Sequence, residues 1–222
     1  MKLLAIDTST NYLSLAVTDD EKVLGRVHRR ADMSHSTLLV PMVDALLKKA
    51  RLTPKDIDLL CLSIGPGSFT GLRIGVVTVK GLAYSLDKPV VAVPTLDVIA
   101  RNAKNFSGVI CPVLDARKNK VYACLYSSDG KTIKRISKYL LLSVEELLDK
   151  TEAIGSGKVM FMGDYAPRIS PAAGVSYSGD WHPKAAVVAK LGLEYSKKKK
   201  FVTPEDLEPL YMYSRECDIK GI

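Results

Sequence analysis

A chain of 222 residues, 47% hydrophobic and 25% charged, can bury one large core or two smaller ones, which excludes a disordered or fibrous protein. No apolar run nears the roughly 20 residues of a membrane helix. Asp7 interrupts the first apolar stretch too early for a signal peptide, so the expected compartment is the cytoplasm. The net charge of +8 suits association with nucleic acid without requiring it, and the four cysteines form no C-x-x-C pair, so they read as reduced, buried thiols.

In chain order, an apolar run ends at Asp7-Thr-Ser-Thr-Asn11, and the alternating Leu13, Leu15 and Val17 follow. A turn at Asp19-Asp20 leads to a third strand-like stretch, Val23 to His28. The same order recurs from Asp115 to Asn119, at an offset of 108 residues for both the Asp and the Asn. There Val121, Ala123 and Leu125 alternate, Asp129-Gly130 makes the turn, and Thr132 to Ser137 is the expected third strand. Two β-meanders in register with each other point to an internal duplication.

After each meander the apolar period changes from 2 to 3.6. Ser34 to Ala50 reads as a helix with a narrow polar strip of Thr37, Asp44 and Lys48. Pro41 inside it removes a hydrogen bond at a cost of about 3 kcal/mol, so this helix is kinked or starts after Ser34. Leu59 to Ile64 reads as a strand covered on both faces, followed by a glycine-rich turn, a helix from Thr70 to Leu86, a strand from Val90 to Val93 and a helix from Thr95 to Lys104. The second half repeats the plan loosely, with Ser143 to Lys150 helical, Val159 to Met162 a strand and Lys184 to Lys200 a helix. The lysines Lys197 to Lys200 close that helix, where cations favour its dipole. Two α/β lobes, residues 1–104 and 105–222, are expected, the second less complete.

The segment Gly65-Pro-Gly-Ser-Phe-Thr-Gly-Leu-Arg-Ile-Gly75 joins a strand to a helix N-terminus, an arrangement that binds phosphates. Its G-x-G-x-x-x-G spacing is one residue longer than the dinucleotide fingerprint, and no P-loop signature occurs in the chain. The duplication suggests the actin-like superfold, in which two acidic turns surround a nucleotide. Backbone amides wrap a phosphate closely only where side chains are absent, yet neither Asp7-Thr-Ser-Thr nor Asp115-Ala-Arg-Lys contains glycine. Gly163-Asp164 is a candidate remnant of an adenosine-side loop. Weak or absent nucleotide binding follows, with no cofactor. His28, His35 and His182 have no metal-ligand spacing, and no nucleophile has a histidine nearby in sequence.

Leu4-Ala-Ile-Asp-Thr-Ser9, the Gly65–Gly75 segment, Leu114-Asp-Ala-Arg117 with Val121-Tyr122, and Glu208-Pro-Leu-Tyr211 together resemble the TsaB (YeaZ-type) family. The resemblance runs in order over nearly the whole chain. It implies a duplicated actin-like (ASKHA, ribonuclease-H-like) two-lobed fold and a non-catalytic role in making threonylcarbamoyladenosine at position 37 of tRNA. It also implies a larger catalytic paralogue, TsaD, and an ATPase, TsaE, as partners, with tRNA met through the complex and a homodimer when the chain is alone. In that paralogue the helix after the first lobe's last strand carries an H-x-x-x-H metal site; here Thr95 to Lys104 has no histidine.

A scaffold works through its surface. Plotted at about 100° per residue, Leu72, Gly75, Val76, Val79, Leu82, Ala83 and Leu86 form the core face of the second helix. Arg73, Ile74, Val77, Lys80, Gly81 and Tyr84 lie opposite and suit a helix partner. Leu39, Met42 and Leu46 of the first helix complete the expected interface. The alternative is a nucleotide-dependent enzyme of the actin-like or sugar kinase type; a metallopeptidase would need a zinc site.

Overall fold

The computed structural model describes residues 1–213 apart from 33, 104, 156–157 and 170–174. The strands are β1 (Lys2–Asp7), β2 (Tyr12–Asp19), β3 (Lys22–Arg30), β4 (Leu59–Ser63), β5 (Val90–Val93), β6 (Ser107–Arg117), β7 (Lys120–Ala123), β8 (Tyr126–Asp129), β9 (Ile133–Arg135), β10 (Leu140–Leu142), β11 (Val159–Met162) and β12 (Val175–Ser178). The helices are α1 (His35–Lys49), α2 (Phe69–Leu86), α3 (Thr95–Ala100), α4 (Val144–Ala153) and α5 (Ala185–Lys197). They form two compact units, one of Met1–Val98 with His182–Pro209, the other of Ile99–Trp181 with the chain from Leu210.

The first unit holds a sheet in the order β3-β2-β1-β4-β5, antiparallel across β3, β2 and β1 and parallel across β1, β4 and β5. Alternation along the strands sends side chains to both faces. Leu4, Ile6, Leu13, Leu15, Leu60 and Leu62 face α1 and α2, in a core with Leu39, Leu46, Val76 and Val79. Leu3, Ala5, Ala16, Cys61, Val91 and Val93 face the other way, against Val188, Ala189, Leu191 and Leu193 of α5. A sheet covered on both faces explains why its strands read as continuous apolar runs.

α1 starts at His35 and carries Pro41 within it. α2 is capped by the Ser68 side chain, which accepts from the Gly71 amide at 3.3 Å, and ends where Asp87 turns left-handed at φ 51°. Its glycines fit it to the sheet. A Cβ at Gly71 would strike the Thr8 carbonyl, and one at Gly75 the Thr8 hydroxyl, so the first turns of α2 lie directly on the β1–β2 turn. α3 is shorter than the sequence suggests, ending at Ala100.

The second unit repeats the sheet as β10-β7-β6-β11-β12, with the same antiparallel and parallel relations. The duplication is real, but its third strand is Leu140–Leu142. The expected stretch, Thr132 to Ser137, contains β9, which pairs with β8, and β8 turns back along the start of β6. The chain from Cys124 to Ser137 is therefore an inserted flap. α4 then follows the sheet strand as α1 does in the first unit, opened by a capping box in which Ser143 and Glu146 exchange backbone-to-side-chain bonds of 2.8 and 3.2 Å. Among the described residues between β11 and β12, only the helical turn Ala166–Arg168 stands where the first unit has α2. The second copy is the less complete one.

The division between units differs from a single cut after residue 104. α5 packs on β1, β2, β4 and β5 of the first sheet because its apolar face completes that sheet's second core. Gly192 makes this close: a Cβ there would meet the Cys61 sulfur.

Candidate functional site

Among the described helices, α2 exposes the most large apolar side chains, Phe69, Val77 and Tyr84. Gly71, Leu72, Gly75, Val76, Val79 and Ala83 are buried, as the helical period requires. On the opposite side Val77 is 69% exposed and Tyr84 58%, while Arg73 and Gly81 are exposed and Ile74 and Lys80 half-buried. Phe69 joins them, 53% exposed, with the Arg73 guanidinium 3.8 Å above its ring centre. Sequence analysis missed Phe69, although its position four residues before Arg73 places it on the same stripe.

The C-terminal part of this stripe is tied to a strap from Phe201 to Leu207. Val202 bridges to Val90, and Leu207 is buried in the core of α1 and α2. The Tyr84 hydroxyl donates to the Glu205 carboxylate at 2.7 Å, and the Lys80 ammonium donates to the Glu205 carbonyl at 3.0 Å. The Glu205 bond raises the Tyr84 phenol above its usual pKa and lowers that of Glu205. Tyr84 is thus held in place with its ring open to solvent. Beside it lies an open depression of about 460 Å³, lined by Tyr84, Lys88, Phe201 and Glu205 among others.

Gly81 stands apart from the other α2 glycines. Among the described residues nothing lies within 4 Å of a Cβ built there, so none of them requires its lack of a side chain.

The first helix contributes less than the sequence suggested. Leu39 and Leu46 are 1% and 3% exposed, within the core beneath α1, and are removed from the candidate interface. Met42 is half-buried, and Val40, 60% exposed, is the apolar residue that α1 presents instead. α1 is apolar around most of its circumference, so periodicity could not choose between these faces.

The two acidic turns use their own polar groups internally. Asp7 is fully buried; one carboxylate oxygen accepts from the Ser9 amide and hydroxyl at 3.0 and 2.9 Å, and the other accepts no well-formed hydrogen bond among the described residues. Burial raises its carboxyl pKa to about 6, opposed by the nearby Ser63 hydroxyl and by the two Ser9 hydrogen bonds. The Ser9 carbonyl accepts from the Ser68 amide at 2.7 Å, and the Thr8 hydroxyl donates to the Gly71 carbonyl at 2.8 Å. The glycine-rich segment therefore docks on this turn, and Thr95 fastens its start through bonds to Ser63 and Gly65 of 2.9 and 3.0 Å.

In the second unit Asp115 is partly exposed. It accepts from the Arg117 amide at 2.7 Å and lies 3.6 and 3.7 Å from the guanidinium groups of Arg117 and Arg168. Asp164 accepts from the Asp115 amide at 2.9 Å, and burial raises its own carboxyl. Gly163, at φ 138°, sits against the Val113 carbonyl where no side chain fits. Among the described residues no three His, Cys, Asp or Glu side chains group as metal ligands. His28 and His182 pack on the Tyr12 ring, and His35 contacts the Tyr12 carbonyl. Cys61, Cys111 and Cys124 are buried, and desolvation raises the thiols of the first two; Cys217 lies outside the described residues. No described helix is long and apolar enough to cross a membrane.

Residues 15–202 match the family model described as TsaD, tRNA N6-adenosine threonylcarbamoyltransferase. The chain is 30% identical over its whole length to the tRNA threonylcarbamoyladenosine biosynthesis protein TsaB of Bacillus subtilis, covering 98% of that protein. It superposes on the solved structure of YeaZ from Pseudomonas aeruginosa with a TM-score of 0.82 at 27% identity, over 95% of this chain and 99% of that one. A ROK hexokinase from Thermus thermophilus, at 11% identity and a TM-score of 0.50 over 89% of this chain and all of that one, shares the actin-like fold. With motifs, fold and full-length likeness in agreement, the chain belongs to the TsaB (YeaZ-type) family.

Proposed function

We propose that this protein is a non-catalytic subunit in the synthesis of threonylcarbamoyladenosine on tRNA. It acts by binding a catalytic paralogue, TsaD, through the outer face of α2, and the ATPase TsaE joins that pair. The observation that carries the reading is Gly81. An exposed glycine inside a helix costs about 1 kcal/mol relative to alanine, and nothing among the described residues packs against it. A second helix crossing there would, because small residues let backbones approach closely. Val77 one turn earlier and Tyr84 three residues later are then the anchors, and the ring of Phe69 with Arg73 extends the same contact. Arg73, Ile74, Val77, Lys80, Gly81, Tyr84 and Met42 remain in the interface, and Phe69 and Val40 join it. Alone, the chain covers the same face by pairing with a second copy.

The acidic turns support a role without chemistry. Donors of the Asp7 turn that could meet a phosphate are already used, the Thr8 hydroxyl on the Gly71 carbonyl and the Ser9 amide and hydroxyl on Asp7, and no cofactor is part of the proposal. tRNA is met within the complex. The test is to co-purify the chain with the paralogue and measure threonylcarbamoyl transfer with each subunit omitted in turn. Transfer that persists without this chain, or turnover by this chain alone that an Asp7→Ala variant loses, overturns the reading.

A further inference from the structure

On the other face of the first sheet from α1 and α2, the edge strand β3 carries a row of side chains that partner binding through α2 leaves unused. β3 is the outermost strand and pairs only with β2, in the register Tyr12 with Arg30, Ser14 with His28 and Ala16 with Arg26. Ala16 packs in the core beneath α5, and the Ser14 hydroxyl accepts from the first amide of α5 at 2.9 Å. Arg26, His28 and Arg30, two residues apart, therefore share the α5 side of the sheet. All three are exposed.

The Tyr12 ring lies stacked on His28, with centroids 4.8 Å apart and planes 15° from parallel, and His182 packs tilted on the same ring at 4.1 Å. Arg30 is paired with Asp32 at 2.8 Å, both largely exposed, whereas Arg26 makes no ion pair among the described residues. The strand rise of about 3.3 Å sets the backbone positions of Arg26 and Arg30 on either side of His28 at a spacing of roughly 7 Å each. Cations alone would serve to keep an open sheet edge from pairing with another strand. They do not account for three aromatic rings packed together beside them at the surface. Cations along an open track with rings between them is the chemistry that holds unpaired nucleic acid, phosphates on the guanidinium groups and a base on the ring face.

We propose that Arg26, His28 and Arg30, with Tyr12 and His182 behind them, form a contact surface for an unpaired segment of RNA. The proposal rests on the tRNA reading above and adds direct contact by this chain. The net charge of +8 supplies the long-range attraction. Because α1 and α2 cover the opposite face of the sheet, RNA here and a protein partner there do not compete.

The test measures binding of an unmodified, fluorescein-labelled tRNA transcript from 50 to 200 mM salt, with the chain alone and with the chain mixed with the paralogue. Each phosphate contact on a single strand contributes about 0.7 to the slope of log affinity against log salt. The double variant Arg26→Ala/Arg30→Ala is expected to lower that slope by about 1.4 and to weaken binding roughly tenfold, while Arg26→Lys/Arg30→Lys keeps the slope. His28→Ala is expected to weaken binding at least about fivefold with the slope unchanged, since stacking is insensitive to salt. All variants should keep the wild-type melting temperature and the wild-type elution volume with the paralogue. Unchanged affinity and slope in folded variants overturn the proposal. So does equal binding of heparin combined with no effect of His28→Ala, which would make the surface a general polyanion site. Failure of the mixture to assemble refutes the subunit reading instead, and the measurement on the chain alone still decides the RNA contact.

Discussion

Asp7 is the residue whose chemistry departs furthest from its surroundings. A fully buried carboxyl raised from 3.8 to about 6 binds its proton more tightly in the folded chain than in the unfolded one. Its contribution to stability is therefore complete below about pH 4 and is lost as pH rises through 6, on the order of 3 kcal/mol in all. Asp7→Asn keeps an acceptor for the Ser9 amide and hydroxyl and removes the buried charge. It should raise the melting temperature by several degrees at pH 7.5 and leave it nearly unchanged at pH 3. Equal or lower stability of the Asn variant at pH 7.5 would mean that the carboxylate is held by compensating donors. Asp7→Ala removes the acceptor as well and should destabilise the chain at both pH values. Asp115, partly exposed and beside two arginines, should tolerate Asn with little change.

At the scale of single elements, α2 and α5 carry opposite lessons about glycine. Gly192→Ala forces a methyl group onto the Cys61 sulfur across a packed interface and should cost 1–3 kcal/mol as an overpacked core substitution, read by thermal melting. Gly81→Ala should instead stabilise the isolated chain by up to about 1 kcal/mol and weaken co-purification with the paralogue. Stabilisation without loss of binding would remove Gly81 from the interface. Val77→Glu tests the same face by charge. On a surface that stays wet it changes stability by no more than roughly 0.5 kcal/mol, whereas an unpaired carboxylate in a desolvated contact costs several kcal/mol of affinity. The expected outcome is a near-native melting temperature with loss of paralogue binding; an unfolded variant would show that this face is internal. The sequence made the inner face of α2 legible because its apolar residues follow one helical period against polar neighbours. It could not rank the faces of α1, where Val40, buried Leu39 and half-buried Met42 are alike in hydrophobicity and differ only in direction. Nor could it foresee that Lys80 and Tyr84 meet Glu205, since that contact spans more than a hundred residues.

For the molecule as a whole, the duplication was legible because both copies keep an Asp and an Asn in step and both follow their first long helix with a short apolar strand, Leu59–Ser63 and Val159–Met162. The flap from Cys124 to Ser137 was not, because β9 and the true third strand, β10, are each only three residues long, and nothing local says which of them reaches β7. The place of α5 was equally hidden, since an apolar helical stripe states that it must be covered and not by which sheet. The relation to a sugar kinase fold raises the question of nucleotide directly. A ligand present at 100 times its dissociation constant adds about 2.7 kcal/mol to stability, so millimolar Mg-ATP should leave the melting temperature of this chain unchanged. A clear upward shift, lost in Asp7→Ala, would restore the enzymatic alternative.

The bond from the Ala185 amide to the Ser14 hydroxyl joins residues 171 positions apart. A ribosome adds about 5–20 residues each second, so roughly ten to thirty seconds separate the synthesis of β2 from that of the helix that covers it. Throughout that interval Leu3, Ala5, Ala16 and Cys61 have no helix over them, and the nascent first sheet presents an apolar wall to whatever is nearby. The chain is thus at its most adhesive while it is being made. Its yield in the cell should depend on the chaperones that meet it at the ribosome more than on the stability of the finished fold, and a version ending near residue 104 should be recovered chiefly as aggregate.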